Sequence, residues 1–205
     1  MKTFNIICLS LISLILFNCS KEQVEDKIKT KNNLHLLPKG ENTTIDVYYS
    51  LPLNKESNED GSWDLKFNWK QNYHINSNTK YSTSQGKLNF IDKAFNEVSL
   101  ADITKKFTGS NGSLENFTNI QDFGLNTDTQ VGWIQKNSNN ILLPVKDRTL
   151  VLITPVSANN TNKKMYIIEI KSVYKDAPAN PDQNSKAAFI SFRYKEIETE
   201  GIIKL

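Results

Sequence analysis

Two runs of large apolar and β-branched residues stand close together late in the chain. Leu150, Val151, Leu152 and Ile153 form the first, and Tyr166, Ile167, Ile168 and Ile170 the second. Between them lie Asn159, Asn160, Thr161 and Asn162, short polar residues that favour turns because their side chains hydrogen-bond to nearby backbone. The pattern predicts an antiparallel hairpin over residues 149–154 and 164–170.

Further strand signals precede and follow it. Ile45, Val47, Tyr48 and Tyr49 make a β-rich run, and Trp63, Leu65, Phe67 and Trp69 alternate with Asp64, Lys66 and Asn68. A period of two places one residue set on one face, so this second strand has a strongly apolar side. A closing strand over residues 188–195 sets Ile190, Phe192 and Tyr194 against Phe189, Ser191 and Arg193, with both faces partly covered. One helix is expected at residues 99–107, where Ser99 and Asp102 have the spacing of a capping box. Residues 109–140 are rich in Asn and turn formers and predict long loops between short strands. No internal repeat is visible. The expectation is an all-β chain, a single sandwich or barrel-like domain of antiparallel strands with long polar loops, over residues 41–205.

The N-terminus reads differently. Lys2 precedes an apolar stretch that ends in Leu14, Ile15, Leu16, Phe17, Asn18 and Cys19. A basic start and a short apolar core predict a secretory signal over residues 1–18, too short for a finished membrane helix. Leu16, three residues before Cys19, fits a lipobox, in which the cysteine becomes the acylated first residue; Asn18 is bulkier than the usual Gly or Ala. An ordinary secretory peptide is the alternative, though no Ala-x-Ala site supports it. Acyl chains contributing roughly 0.8 kcal/mol per buried CH2 would fix the protein to a membrane. Residues 19–40 then read as the lipidated cysteine and a flexible tether, because residues 20–33 are charged and nearly devoid of apolar side chains.

Removing residues 1–18 of the 205 leaves 187, enough for one core of ordinary size. Of 25 Lys and Arg only Lys2 departs, leaving a formal charge of +2 against 22 Asp and Glu, which does not favour nucleic acid. Cys8 leaves with the signal and Cys19 would be acylated, so packing and strand pairing must supply the stability. Enzyme templates are missing: there is no G-x-S-x-G elbow, no phosphate-cradling glycine loop and no H-E-x-x-H pair. The pairs Glu25–Asp26 and Glu59–Asp60 sit in polar stretches and read as solvated charge. A non-enzymatic role is the expectation. The histidines are His35, beside the tether, and His74, which follows the Trp-rich strand and borders a loop. A neutral imidazole such as that of His74 can bind a metal or haem iron; the plain alternative is a hydrogen-bonded histidine at a strand end.

The order of segments carries a resemblance. Tyr48, Tyr49, Ser50 and Leu51 come first, then Trp63, Asp64, Leu65, Lys66 and Phe67, then Ile75, Asn76, Ser77 and Asn78. Residues 164–175 and the run Phe189, Ile190, Ser191, Phe192, Arg193 and Tyr194 complete the series. Together with the lipobox, this resembles the HmuY-like family of bacterial haem-binding outer-membrane lipoproteins, over residues 44–198. The resemblance implies an all-β binding protein, lipid-anchored to the outer membrane with the cell surface as one of its two faces, that takes haem and passes it to a receptor. It also implies two iron ligands, usually His or Met, from loops well after the Trp–Asp strand. Residues 109–163 here contain neither, so those ligands do not carry over. Met165 lies within a predicted strand and reads as core filling. His74 remains as the iron candidate, with Tyr73 or Tyr81 beside it and Lys80 and Lys87 near the propionates. The competing expectations are a module for a glycan or peptide, using Trp133, Trp69 and the Asn-rich loops, and a structural or adhesion lipoprotein.

Overall fold

A computed structural model describes residues 27–37, 46–80, 85–109, 114, 116–155 and 163–199. The signal segment, Cys19, Tyr81 and the turn at residues 159–162 lie outside the described residues. In chain order the strands are β1 (Lys29–His35), β2 (Val47–Ser50), β3 (Lys55–Ser57), β4 (Leu65–Asn68), β5 (His74–Ser77) and β6 (Lys87–Asp92). Helix α1 (Leu100–Phe107) follows, then β7 (Ile134–Lys136), β8 (Leu142–Pro144), β9 (Arg148–Ile153), β10 (Met165–Tyr174) and β11 (Ala187–Ile197). They pair into an antiparallel five-stranded sheet, β1-β11-β10-β9-β6, a four-stranded sheet, β3-β2-β4-β5, and the small pair β7-β8. The sheets pack as a sandwich and do not close into a barrel.

The apolar runs of β9 and β10 are near-continuous because their sheet is covered on both faces. Leu150, Leu152, Tyr166, Ile168 and Ile170 point into the core between the two sheets, where Phe67, Phe192 and Tyr194 also meet. Val151, Ile153, Met165 and Ile167 point the other way, onto a second cluster built with Ile103 and Phe107 of α1. Met165, fully buried and paired with Ile153, is core filling, as its strand context predicts. The predicted hairpin is β9 and β10, in register from Met165↔Ile153 to Ile168↔Leu150. In β11 the predicted face Ile190, Phe192 and Tyr194 enters the main core.

Helix α1 starts where the capping chemistry says it should. The Ser99 side chain accepts from the Asp102 N–H, and the Asp102 carboxylate accepts from the Ser99 N–H at 2.8 Å, so two otherwise free donors are satisfied. Hydrogen bonds from Ser99 and Lys93 hold the Asp102 carboxyl well below the usual carboxylate range. Ile103 and Phe107, four residues apart on one face, are the side chains the helix buries.

One boundary differs from the sequence reading. Residues 29–35 were expected within the flexible tether, yet they form β1 and pair with β11 from Lys29↔Tyr194 to His35↔Phe189. The strand is an edge, held by backbone pairing and by Leu34, which is 0% exposed. A lysine-rich edge is a usual protection against pairing with other chains. The lysines are also used here: Lys29 donates to the Pro52 carbonyl at 3.3 Å, and Lys31 lies 3.2 Å from the Glu56 carboxylate. A bulge between Lys31 and Leu34 is fixed by Asn33, whose left-handed backbone (φ 52°) is supported by side-chain bonds to and from Asp176.

Candidate binding clefts

Three segments distant in sequence meet at one end of the sandwich. They are the end of β1, the turn joining β4 to β5, and the start of β11, and they enclose a cleft of about 710 Å³. Its walls carry His35, Trp69, Lys70, Tyr73 and Lys186, with Leu37, Asn72, Ala187 and Ala188 completing the lining. The volume lies in the range of small-molecule and cofactor sites.

Each ring is held in place. Trp69 follows β4, and Tyr73 packs against it nearly edge-on, at 4.7 Å between centroids and 69° between planes. The turn that allows this has two consecutive left-handed residues, Asn72 (φ 50°) and Tyr73 (φ 63°). It is tied down by the Asn68 side chain accepting from Gln71 N–H at 2.9 Å and by Asn72 O accepting from Leu125 N–H at 3.1 Å. Beneath it, the Trp133 indole N–H donates to the Tyr73 carbonyl at 2.7 Å. Opposite, the His35 imidazole lies flat on Phe189, 4.5 Å away and 8° from parallel, with Lys186 reaching over the same ring. Ala188 is left-handed as well (φ 65°), and its carbonyl accepts from Leu36 N–H at 2.9 Å. A bulky or β-carbon-bearing residue held at positive φ stores strain, and such positions concentrate at ligand sites. Here two of them, Tyr73 and Ala188, border one cleft, beside Asn72, whose side chain tolerates this conformation.

The residues singled out from sequence do not converge. Tyr73 lines this cleft, but His74, the next residue, belongs to the outer face of β5 and turns away from it. Its Nδ1 lies 3.4 Å from Asp122 Oδ1, and its ring closes against Gly124, where an added β-carbon would meet His74 Cδ2 at 2.6 Å and overlap the Asn72 carbonyl. Lys80 lines a separate polar cleft, with Nζ 3.3 Å from Asp60 Oδ1. Lys87 begins β6. Tyr81 and Cys19 lie outside the described residues. Trp133, expected to be exposed for ligand stacking, is 3% exposed and part of the main core. His35, Lys70 and Lys186 are the additions, and the alternation Leu34-His35-Leu36, two fully buried leucines around a half-buried histidine, was the available sequence sign of an ordered segment there.

Among the described residues no three His, Cys, Asp or Glu side chains converge as a metal-ion site, and no helix is long and apolar enough to cross a membrane. Compared with known proteins, the chain matches no protein-family model and no curated protein.

Proposed function

We propose that the protein is a lipid-anchored carrier of the bacterial outer membrane, attached through Cys19, that holds haem in the Trp69–Tyr73–His35 cleft and passes it to a receptor. The observation that carries this reading is the lining: one imidazole, two aromatic rings and two lysines around a space of about 710 Å³. A porphyrin needs flat apolar contact, its propionates need cations, and its iron needs a neutral nitrogen or sulfur donor. Trp69 and Tyr73 supply the first, Lys70 and Lys186 the second and His35 the third. His74, engaged with Asp122 and Gly124, is replaced by His35 as the iron ligand. The resemblance to the HmuY-like lipoproteins and the lipobox point the same way. With Cys19 acylated and β1 starting at Lys29, at most about 35 Å of chain separates anchor and sheet. β1 then spans about 20 Å to the cleft at its far end.

The test is a haemin titration of the mature chain carrying Cys19→Ser. A saturable one-to-one Soret change is expected. His35→Ala should weaken it roughly tenfold or more, whereas His74→Ala should leave it unaltered. A featureless titration, or one indifferent to His35→Ala, would remove haem or the histidine from the proposal.

A further inference from the structure

The outer face of the four-stranded sheet carries a second cleft, of about 390 Å³, with a different chemistry. The pairing Tyr48↔Lys66↔Asn76 sets these three side chains in one cross-strand row, because Val47, Tyr49, Leu65, Phe67 and Ile75 take the core side. The Tyr48 ring leans on Trp63, 5.0 Å away and tilted by 58°, which fixes it as a platform. Asp46 accepts from Asn68 Nδ2 at 2.6 Å, from Lys66 Nζ at 3.2 Å and from the Tyr48 hydroxyl at 3.4 Å, so a fixed carboxylate and an ammonium stand together on the floor. Asn76 is held in one orientation: its Oδ1 accepts from the Asp122 N–H at 2.7 Å, and its Nδ2 donates to Asp122 Oδ1 at 3.4 Å. On the wall, the Gln121 amide has no hydrogen-bond partner among the described residues.

We propose that this cleft binds a carbohydrate, with Tyr48 stacking on the apolar face of a sugar ring and Asp46, Lys66, Asn76 and Gln121 reading its hydroxyls. A hydroxyl both donates and accepts, so a site for several of them needs both kinds of partner side by side. The Lys66–Asp46 pair supplies both, and with Lys80, Glu59 and Asp122 also lining the cleft its charges are of mixed sign, which disfavours a simple anion or cation. The polar lining equally disfavours an acyl chain or porphyrin. The space admits roughly one to two pyranose rings. This site is separate from the His35 cleft and does not depend on haem binding there.

Saturation-transfer NMR with the mature Cys19→Ser chain tests it, using glucose, galactose, mannose and N-acetylglucosamine and their β-linked dimers as probes. At least one probe should give a saturable signal. Tyr48→Ala should weaken it about tenfold and Gln121→Ala several-fold, while Trp69→Ala changes nothing. Gln121 is exposed and its side chain has no hydrogen-bond partner among the described residues, so its variant keeps the fold and decides the matter if Tyr48→Ala does not fold. Silence from every probe, or a signal that survives Gln121→Ala and moves with Trp69→Ala, overturns the proposal. The haemin titration of the same Tyr48 and Gln121 variants should be unchanged, so failure of either site is read independently.

Discussion

A chain shortened to begin at residue 36 is expected to unfold at far lower urea concentration than one shortened to begin at residue 28. The two differ by β1. Without it, the 0%-exposed site of Leu34 becomes a hole between the sheets, and the His35 ring leaves Phe189. Deleting a buried leucine side chain alone costs about 2–5 kcal/mol. The backbone bonds to β11 add to this, each contributing about 0.5–1.5 kcal/mol. A loss of about 5 kcal/mol is therefore expected, which is the whole stability of a marginal domain. A second consequence is association, since β11 would present a long unpaired edge containing Phe189, Ile190 and Phe192. Urea midpoints and size-exclusion elution of the two chains measure both effects. Equal midpoints would mean that β1 contributes nothing to the sheet, and the flexible-tether reading of residues 29–35 would return. Truncation within β1 would also take His35 out of the cleft it lines with Trp69 and Tyr73, so binding assays require β1 intact.

What could be read from the sequence was whatever is decided locally. The β9–β10 hairpin follows from two apolar runs and a polar gap, and α1 from a hydroxyl and a carboxylate three residues apart. The faces of β11 follow from strict alternation. Each of these needs only neighbours within a few residues. β1 escaped because one buried leucine and a row of lysines look like a solvated segment, and its partner Tyr194 stands 165 positions beyond Lys29. Trp133 escaped for a similar reason: a lone tryptophan among polar loop residues gives no period, and its burial depends on the Tyr73 carbonyl 60 residues earlier. The cleft was hidden most completely. Its lining comes from around residues 35, 70 and 187, which only the β1-β11 pairing and the left-handed turn after β4 bring together. His74 stood next to Tyr73, but Tyr73 belongs to the left-handed turn that lines the cleft, whereas His74 opens β5 on its outer face, against Asp122.

Stability should fall as pH rises through about 6, and Asp64→Asn should abolish most of that fall. Asp64 is 6% exposed, and burial pushes its carboxyl from 3.8 up to about 6, against the opposing bonds from the Leu51 N–H and Ser50. The folded chain thus holds this proton more tightly than the unfolded chain does. The stability it contributes is complete below about pH 4 and is lost as pH passes 6. The shift corresponds to about 3 kcal/mol, without a solvent discount because the group is buried. Its neighbours do not offset it: Tyr49, Tyr166 and Tyr194 are themselves pushed up by burial and stay neutral throughout this window. Asp64 persists in so costly a place because its Oδ2 accepts from Leu51 N–H at 2.9 Å, pinning the chain as it leaves β2. An asparagine retains an acceptor oxygen there while carrying no charge. Urea midpoints at pH 3.5 and pH 8 should therefore converge for Asp64→Asn and Asp64 at the acid end, and differ by the equivalent of up to about 3 kcal/mol in favour of asparagine at the alkaline end. A variant less stable than the parent at pH 8 would show that the anion's bonds to Leu51 and Ser50 outweigh its desolvation, and that Asp64 is ionised by design.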